Sequence, residues 1–508
     1  MTDITMDVDT KALRQRILTL AIQGKLTDQR KEDGTAQDLY NQIQEEKQKL
    51  IKEKKIKKEK PLSEITEEEK NFDIPENWMW VRLGNLGAPI QYPFADGPFG
   101  SNLKKEHYTT NREVRIIQLS NIGENGWRDE NVKYTTFAHL KLISRSEVSP
   151  GDIVIAKMMP AGRAIIVPNK DPKYVLSSDA VKFVPNKHLY LPFVINCINS
   201  PVFQNQVTAN VQGTTRKRTS LSKLKNCLLP LPPLAEQKRI ADKISALFAK
   251  LDAIDKAYGE YRELQQTMKS RLLEQAIQGK LTDQRKEDGN AQDLYNQIQE
   301  EKQRLIKEKK IKKEKPLPEI TEEEKNFDIP ENWMWVRLGN LGAPIQYPFA
   351  DGPFGSNLKK EHYTTNREVR IIQLSNIGEN GWRDENVKYT TFAHLKLISR
   401  SEVSPGDIVI AKMMPAGRAI IVPNKDPKYV LSSDAVKFVP NKHLYLPFVI
   451  NCINSPVFQN QVTANVQGTT RKRTSLSKLK NCLLPLPPLA EQKRIVEKLD
   501  KLLPLCEA

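Results

Sequence analysis

The chain has 508 residues, 39% of them hydrophobic and 28% charged, a composition that suits two to four globular domains and excludes a fibrous or wholly disordered protein. Its 79 Lys and Arg outnumber 62 Asp and Glu, and the resulting charge of +17 favours a polyanionic partner. Four of its five cysteines are one pair seen twice, Cys197 and Cys227 then Cys452 and Cys482, and no CxxC occurs, which supports neither a disulfide framework nor a zinc site.

The first residues, Met1 to Asp7, are acidic and lack an apolar run, so no signal peptide is expected, and no stretch approaches a membrane span. A reducing cytoplasm is the expected compartment. Leu13, Ile17 and Leu20 then recur at helical spacing. At Ala21 begins a segment, AIQGKLTDQRKEDG, that restarts at Ala276 and stays matched as far as Ile240 and Ile495. Within these copies only Thr35/Asn290, Lys49/Arg304 and Ser63/Pro318 differ. A period this long exceeds that of solenoid repeats, roughly 20 to 50 residues, so each copy must carry a whole domain.

Each copy opens with a helical lead-in, Ala36 to Lys60 in the first, whose lysine-rich end (KQKLIKEKKIKKEK), stopped by Pro61, reads as a solvated helix or a phosphate contact and could also touch a partner subunit. The body that follows, about Asn71 to Pro230, alternates β-rich runs such as Val114–Leu119 and Asp152–Ala156 with turn clusters such as Pro150-Gly151. A helix over Tyr190–Asn199 and a second starting at Pro201 complete an α+β domain with a curved, partly antiparallel sheet. Trp78 and Trp80, repeated as Trp333 and Trp335, are expected to be buried anchors rather than base stackers.

Three loops of the body combine cations with small or hydroxyl residues, the composition that donates to phosphates and reaches base edges. Gly213 to Ser220 supplies Thr214, Thr215, Arg216, Lys217 and Arg218; Asp96 to Lys105 supplies Lys104 and Lys105; and Lys157 to Arg163 supplies Arg163. Their copies give Thr469, Thr470, Arg471, Lys472 and Arg473, then Lys359 and Lys360, then Arg418. These are the candidate DNA-binding residues.

Between the copies, Ala235 to Gln275 carries Ile240, Ile244, Leu247, Leu251, Ile254, Tyr258 and Tyr261 in 4-3 alternation, a coiled-coil seam beginning just after Pro232 and Pro233. It predicts about 40 helical residues, roughly 60 Å long. The second copy of this helix starts at Ala490 and runs for only 19 residues to the last residue, Ala508, while matching helical residues precede Ala21. The terminal fragments are therefore expected to rebuild a partner that packs antiparallel on the central helix, in a pseudo-closed circle relating the two bodies by a twofold.

Self-contained catalysis has no visible apparatus. Gly24-Lys25-Leu26-Thr27 lacks the first glycine of a phosphate-binding loop and a Ser/Thr directly after the lysine, no Asn-Pro-Pro-aromatic tetrapeptide or GxGxxG is present, and His107, His139, His188 and their copies show no ligand spacing. No metal site is expected, and chemistry must come from other chains.

Two bodies, each led by IPENWMWVRLG and closed by GTTRKRTSLSKLKNCLLPLPPLAEQKRI, joined by coiled-coil helices, resemble the specificity subunits of type I restriction-modification systems over nearly the whole chain. The resemblance implies an N-terminal helical region (1–70), target-recognition domains at 71–230 and 326–485, a central coiled coil (231–325) and a closing helix (486–508). It implies a non-catalytic subunit that reads double-stranded DNA, docks two modification (methyltransferase) subunits and, for restriction, nuclease-translocase subunits. S-adenosylmethionine is then bound by the modification subunits, ATP and Mg by the restriction subunits, and no cofactor by this chain. Family members usually carry two different recognition domains, whereas these are the same, so an interrupted palindrome is expected. The alternatives are a tandem-domain DNA-binding regulator acting alone and a coiled-coil scaffold without site preference.

Overall fold

A computed structural model describes residues 8–211, 218–413, 415–466 and 473–506, which fall into two compact units lying within Met6–Tyr258 and Gly259–Ala508. Each unit builds the same architecture with the same strand pairings, Val114 opposite Lys173 in one and Val369 opposite Lys428 in the other. The first unit stands for both below.

Besides two two-stranded pairings, its body has two main sheets. One is antiparallel, ordered Ala164–Ile166, Ile153–Ala156, Ala180–Phe183 and Phe94–Asp96. The other is mixed, ordered Tyr108–Thr109, Tyr134–Thr135, Val114–Ile117, Lys173–Leu176 and Glu147–Val148, with its one parallel pair in the centre. The strands are short, β-branched and buried on both faces, and side-chain alternation explains why. Ile153 and Ile155 enter the main core with Phe203 and Val207, while Val154 and Ala156 enter the core between the sheets with Ile117 and Leu176. Val114 and Ile116 point the other way, onto Leu140 and Ile143. The result is four layers, with the helices Leu191–Ile198 and Pro201–Ala209 outside one sheet and Phe137–Leu142 outside the other. Ser200 caps the second of these helices, its hydroxyl accepting from the Phe203 N–H at 3.3 Å.

The helix between the bodies spans Leu234–Ile277, 44 residues, starting directly after Pro233. In the first unit its Ile240, Ala241 and Ile244 join the main core, and Thr10–Ile22 packs on it antiparallel: Thr10 donates to Asp255 at 2.6 Å, and Arg14 reaches Asp252 at 2.7 Å with its guanidinium over the Phe248 ring. In the second unit Leu273, Ala276 and Ile277 of the long helix are buried with Ile495, Val496 and Leu499 of the closing helix, Leu489–Leu502. Shifted by the repeat, Thr10–Ile22 corresponds to 265–277 and Leu489–Leu502 to 234–247. Each terminal helix thus occupies, in its own unit, the place that half of the central helix occupies in the other. The buried stripe of the N-terminal helix is Leu18, Ala21 and Ile22, while Leu13, expected inside, is exposed. No described helix is long and apolar enough to cross a membrane.

The lead-in corrects the expectation of a helix to Lys60. Ala36–Lys52 is helical, and Lys54 then takes a left-handed φ of 56° while the Lys55 N–H donates back to the Leu50 carbonyl at 2.9 Å. Continuing the helix would align lysines a turn apart; reversing it buries Ile56 and brings Glu59 between Lys47 (3.0 Å) and Lys225 (2.8 Å). Burial pushes the Glu59 carboxyl up, but these two ammonium groups hold it below the usual carboxylate range.

Candidate nucleic-acid interface

The loops after Phe94–Asp96 and Ile153–Ala156 leave the same end of the antiparallel sheet, and the described end of the third candidate segment, from Arg218, meets them there. The strand Phe94–Asp96 runs out into the first, Ile153–Ala156 runs out into the second, and Ala180–Phe183 starts beside both. Lys157 is the hub. Its N–H donates to the Asp179 carbonyl (2.8 Å), its carbonyl accepts from the Thr219 N–H (3.0 Å), and its ammonium donates to Asp96 Oδ1 (2.7 Å). Arg218 pairs across a β-bridge with Met158 and donates from Nη2 to Asp179 Oδ1 at 2.7 Å. Gly97 is required here, because a Cβ would lie 1.7 Å from the Ser177 carbonyl oxygen. Its N–H donates to the Ala180 carbonyl at 3.0 Å. In the second unit Lys412, Asp351, Asp434 and Arg473 repeat this set.

Charge in these loops therefore has two uses. Lys157 and Arg218 are held by carboxylates and order the loops. Lys104 and Lys105 face solvent, with Glu106 3.8 Å from the Lys104 ammonium, and Lys359 and Lys360 repeat them. A surface pair at that distance contributes little, so these ammonium groups stay available to an external anion. The leg bearing them is braced: the Lys104 N–H donates to His107 Nδ1 at 3.0 Å, His139 Nε2 lies 2.8 Å from the Asn102 carbonyl, and the two imidazoles stack at 4.1 Å. Arg163 is half-buried, 3.9 Å from Glu124, and Arg418 sits likewise by Glu379. Thr214, Thr215, Arg216 and Lys217, with Thr469, Thr470, Arg471 and Lys472, lie outside the described residues.

Sequence reasoning did not single out Phe99, 82% exposed between Pro98 and Gly100, or the organising carboxylates Asp96 and Asp179. Phe99 had a signal in its own segment, an apolar ring in a Gly-Pro turn. The carboxylates had none, since their partners are 61 and 39 residues away.

The motifs that lead and close the body meet behind the loops. Met79–Arg82 pairs antiparallel with Leu228–Leu231, and Trp78 beside it is buried, its indole N–H donating to Glu236 Oε2 at 2.8 Å. Glu236 Oε1 accepts from Gln29 (2.7 Å) and Thr27 (3.3 Å); burial pushes its carboxyl up, and these donors act against that. Gln237 accepts from the Tyr190 N–H at 3.0 Å and donates to the Pro232 carbonyl at 3.0 Å. Arg82 is buried, bidentate to Glu69 (2.8 and 2.7 Å), and its remaining donors reach the carbonyls of Ser63, Glu64 and Asn226. The expectation for Trp78 as an anchor agrees with this placement, and Trp80 packs on Phe72 with ring centroids 4.9 Å apart.

Two identical mixed α+β modules, each braced on long helices and each gathering basic loops at one end of a sheet, define a tandem recognition protein. The chain belongs to the family described as type I restriction modification DNA specificity domain, matched at residues 75–260 and again at 330–507. It is 28% identical to the type I restriction enzyme EcoAI specificity subunit of Escherichia coli, over 98% of this chain and 89% of that one. To the EcoEI specificity subunit of the same organism it is 26% identical, with the same coverage. Its fold resembles a chain from a structure described as the basis of complex assembly and conformational transition of the type I R-M system, with a TM-score of 0.54 and 18% identity over 86% of this chain and 92% of that one.

Proposed function

We propose that each body reads one half of a bipartite DNA site through the loop face organised by Lys157 and Lys412, and that the chain itself performs no chemistry. The observation that carries this reading is the meeting at Lys157, and again at Lys412, of two loops from one end of a sheet with the basic segment entering at Arg218 and Arg473, in a chain of net charge +17. Exposed lysines supply salt-sensitive phosphate contacts, and loop side chains read base edges. Identical readers demand identical half-sites, so the site is an interrupted palindrome whose gap the helices set. The helices dock two methyltransferase subunits, which bind S-adenosylmethionine and flip and methylate an adenine near each half-site. For restriction, nuclease-translocase subunits join with ATP and Mg. The assembly works in the cytoplasm.

Selection of bound sites from random DNA, with the modification subunits present, tests this. Inverted copies of one half-site at a fixed gap are expected. Unrelated half-sites, or no enrichment, would overturn it.

A further inference from the structure

Phe99 is the most exposed large apolar side chain among the described residues, at 82%, and its copy Phe354 is exposed at 80%. A phenylalanine left in water forgoes the burial that stabilises its neighbours in the core, so a place for it in the free protein's packing is not the explanation. Nor does it hang on a slack loop. On one side Gly97 is pinned against Ser177 and Ala180; on the other the Asn102 N–H donates to the Phe99 carbonyl at 2.7 Å, and His139 and His107 hold Asn102 and Lys104. Gly100, next to it, has open space where a Cβ would be. The ring is thus presented by a turn ordered in advance, with Lys104 and Lys105 a few residues on, at the loop face proposed to meet DNA.

Resting on that proposed reading, we propose that Phe99 and Phe354 are apolar wedges that insert between neighbouring base pairs, one in each half-site, and locally unstack the duplex. The stack of bases is the apolar partner that a ring on a cationic loop would find on a polyanion, and the lysines that follow the ring hold phosphate beside the opened step. Because opening a step is easiest at flexible pyrimidine–purine steps, the wedge adds sequence preference at a position where no hydrogen bond is made.

The test uses the full chain assembled with its modification subunits and a selected site carrying 2-aminopurine at each position in turn. The wild type is expected to raise the fluorescence at one step per half-site other than the methylated adenine. The F99A/F354A variant is expected to lose that rise and bind about 10- to 100-fold more weakly for each ring lost, the range for burying a phenylalanine side chain, so about 100-fold or more for the pair, while F99L/F354L keeps part of both. A variant that binds and unstacks like the wild type overturns the wedge and leaves the DNA-reading function intact. So does one that loses its modification subunits with DNA unstacking unchanged, which would make the ring a protein contact. A wild-type assembly that selects no site ends both.

Discussion

Glu236 ties the long helix to the body, and removing its carboxylate should measurably destabilise the unit it closes. In Glu236→Ala the Trp78 indole N–H, buried and 2.8 Å from the lost oxygen, has no replacement acceptor, whereas Gln29 and Thr27 are partly exposed and can turn to water. An unsatisfied buried donor costs about 1–3 kcal/mol, and the hydrogen bonds from the other two add to that. Relief of the carboxylate's own desolvation, which pushes its pKa up, works in the opposite direction. The net expectation is a loss of about 2 kcal/mol, or roughly 4–8 °C in melting temperature for a unit of this size. Glu236→Gln should lose less than about 1 kcal/mol: its amide oxygen accepts from Trp78, and its amide nitrogen donates to Thr27 and to a flipped Gln29. The repeat supplies a replicate, since Glu491 accepts from Trp333, Gln284 and Thr282 at 2.8, 2.7 and 3.1 Å. Thermal and urea melting of the full chain, followed by tryptophan emission, reads all four variants. Ala variants within about 0.5 kcal/mol of wild type, or Gln variants as damaging as Ala, would refute the hydrogen-bond argument.

Replacing Lys104 and Lys105, with Lys359 and Lys360, by alanine should flatten the dependence of log K on log salt by about one for each lysine that touches a phosphate; an unchanged slope would take this leg off the DNA. Arg239 donates to Asp33 at 2.7 Å and holds its carboxyl below the usual aspartate range, so the stability this pair contributes is present above that range and lost as pH falls through the lowered pKa. Arg239→Met should remove that loss from urea melts run between about pH 5 and 2, and a variant retaining the full acid dependence would disprove the linkage. Burial pushes the Cys227 thiol up to about 12 and the Cys197 thiol higher, so neither should react with a thiol reagent in the folded chain, and both should react in denaturant. Rapid labelling of either in the native state would contradict their placement.

What was legible in the sequence was what is local or periodic. The helix expected over Ala235–Gln275 is found at Leu234–Ile277 because its apolar seam repeats along the chain and Pro232-Pro233 marks the start. The helices near Tyr190 and Pro201 carry their own proline and serine start signals. The lysine run misled because charge alone favours a solvated helix, whereas a left-handed turn at Lys54 and a carboxylate returning at Glu59 decide the chain's course. Division of the body into two sheets was not legible, since the pairing of Val114–Ile117 with Lys173–Leu176 joins strands about sixty residues apart through backbone groups every sequence possesses. For the same reason the candidate loops could be chosen by composition, but their meeting at Lys157 could not.

The three substitutions between the copies bear on whether a chain that reads two half-sites, as proposed, could tell them apart. Thr35 and Asn290 both cap the lead-in helix, each accepting from the N–H of the aspartate three residues on. Lys49 and Arg304 are both exposed cations on its outer face. Where Ser63 becomes Pro318, the buried arginine keeps its acceptor, because it uses the backbone carbonyl: Arg82 Nε donates to Ser63 at 3.1 Å and Arg337 Nε to Pro318 at 2.8 Å. None of the three touches the loop face, and from Glu64 to Ile240 the copies are identical. On the proposed reading, asymmetry in the DNA read would arise outside the bodies, where Thr10–Ile22 and Leu489–Leu502 stand in for the two halves of the central helix with different side chains. Exchanging those terminal residues for their counterparts in the central helix should leave half-site preference untouched and alter only the gap or the assembly of partner subunits. A change in the bases selected would place sequence reading on the helices and not on the loops.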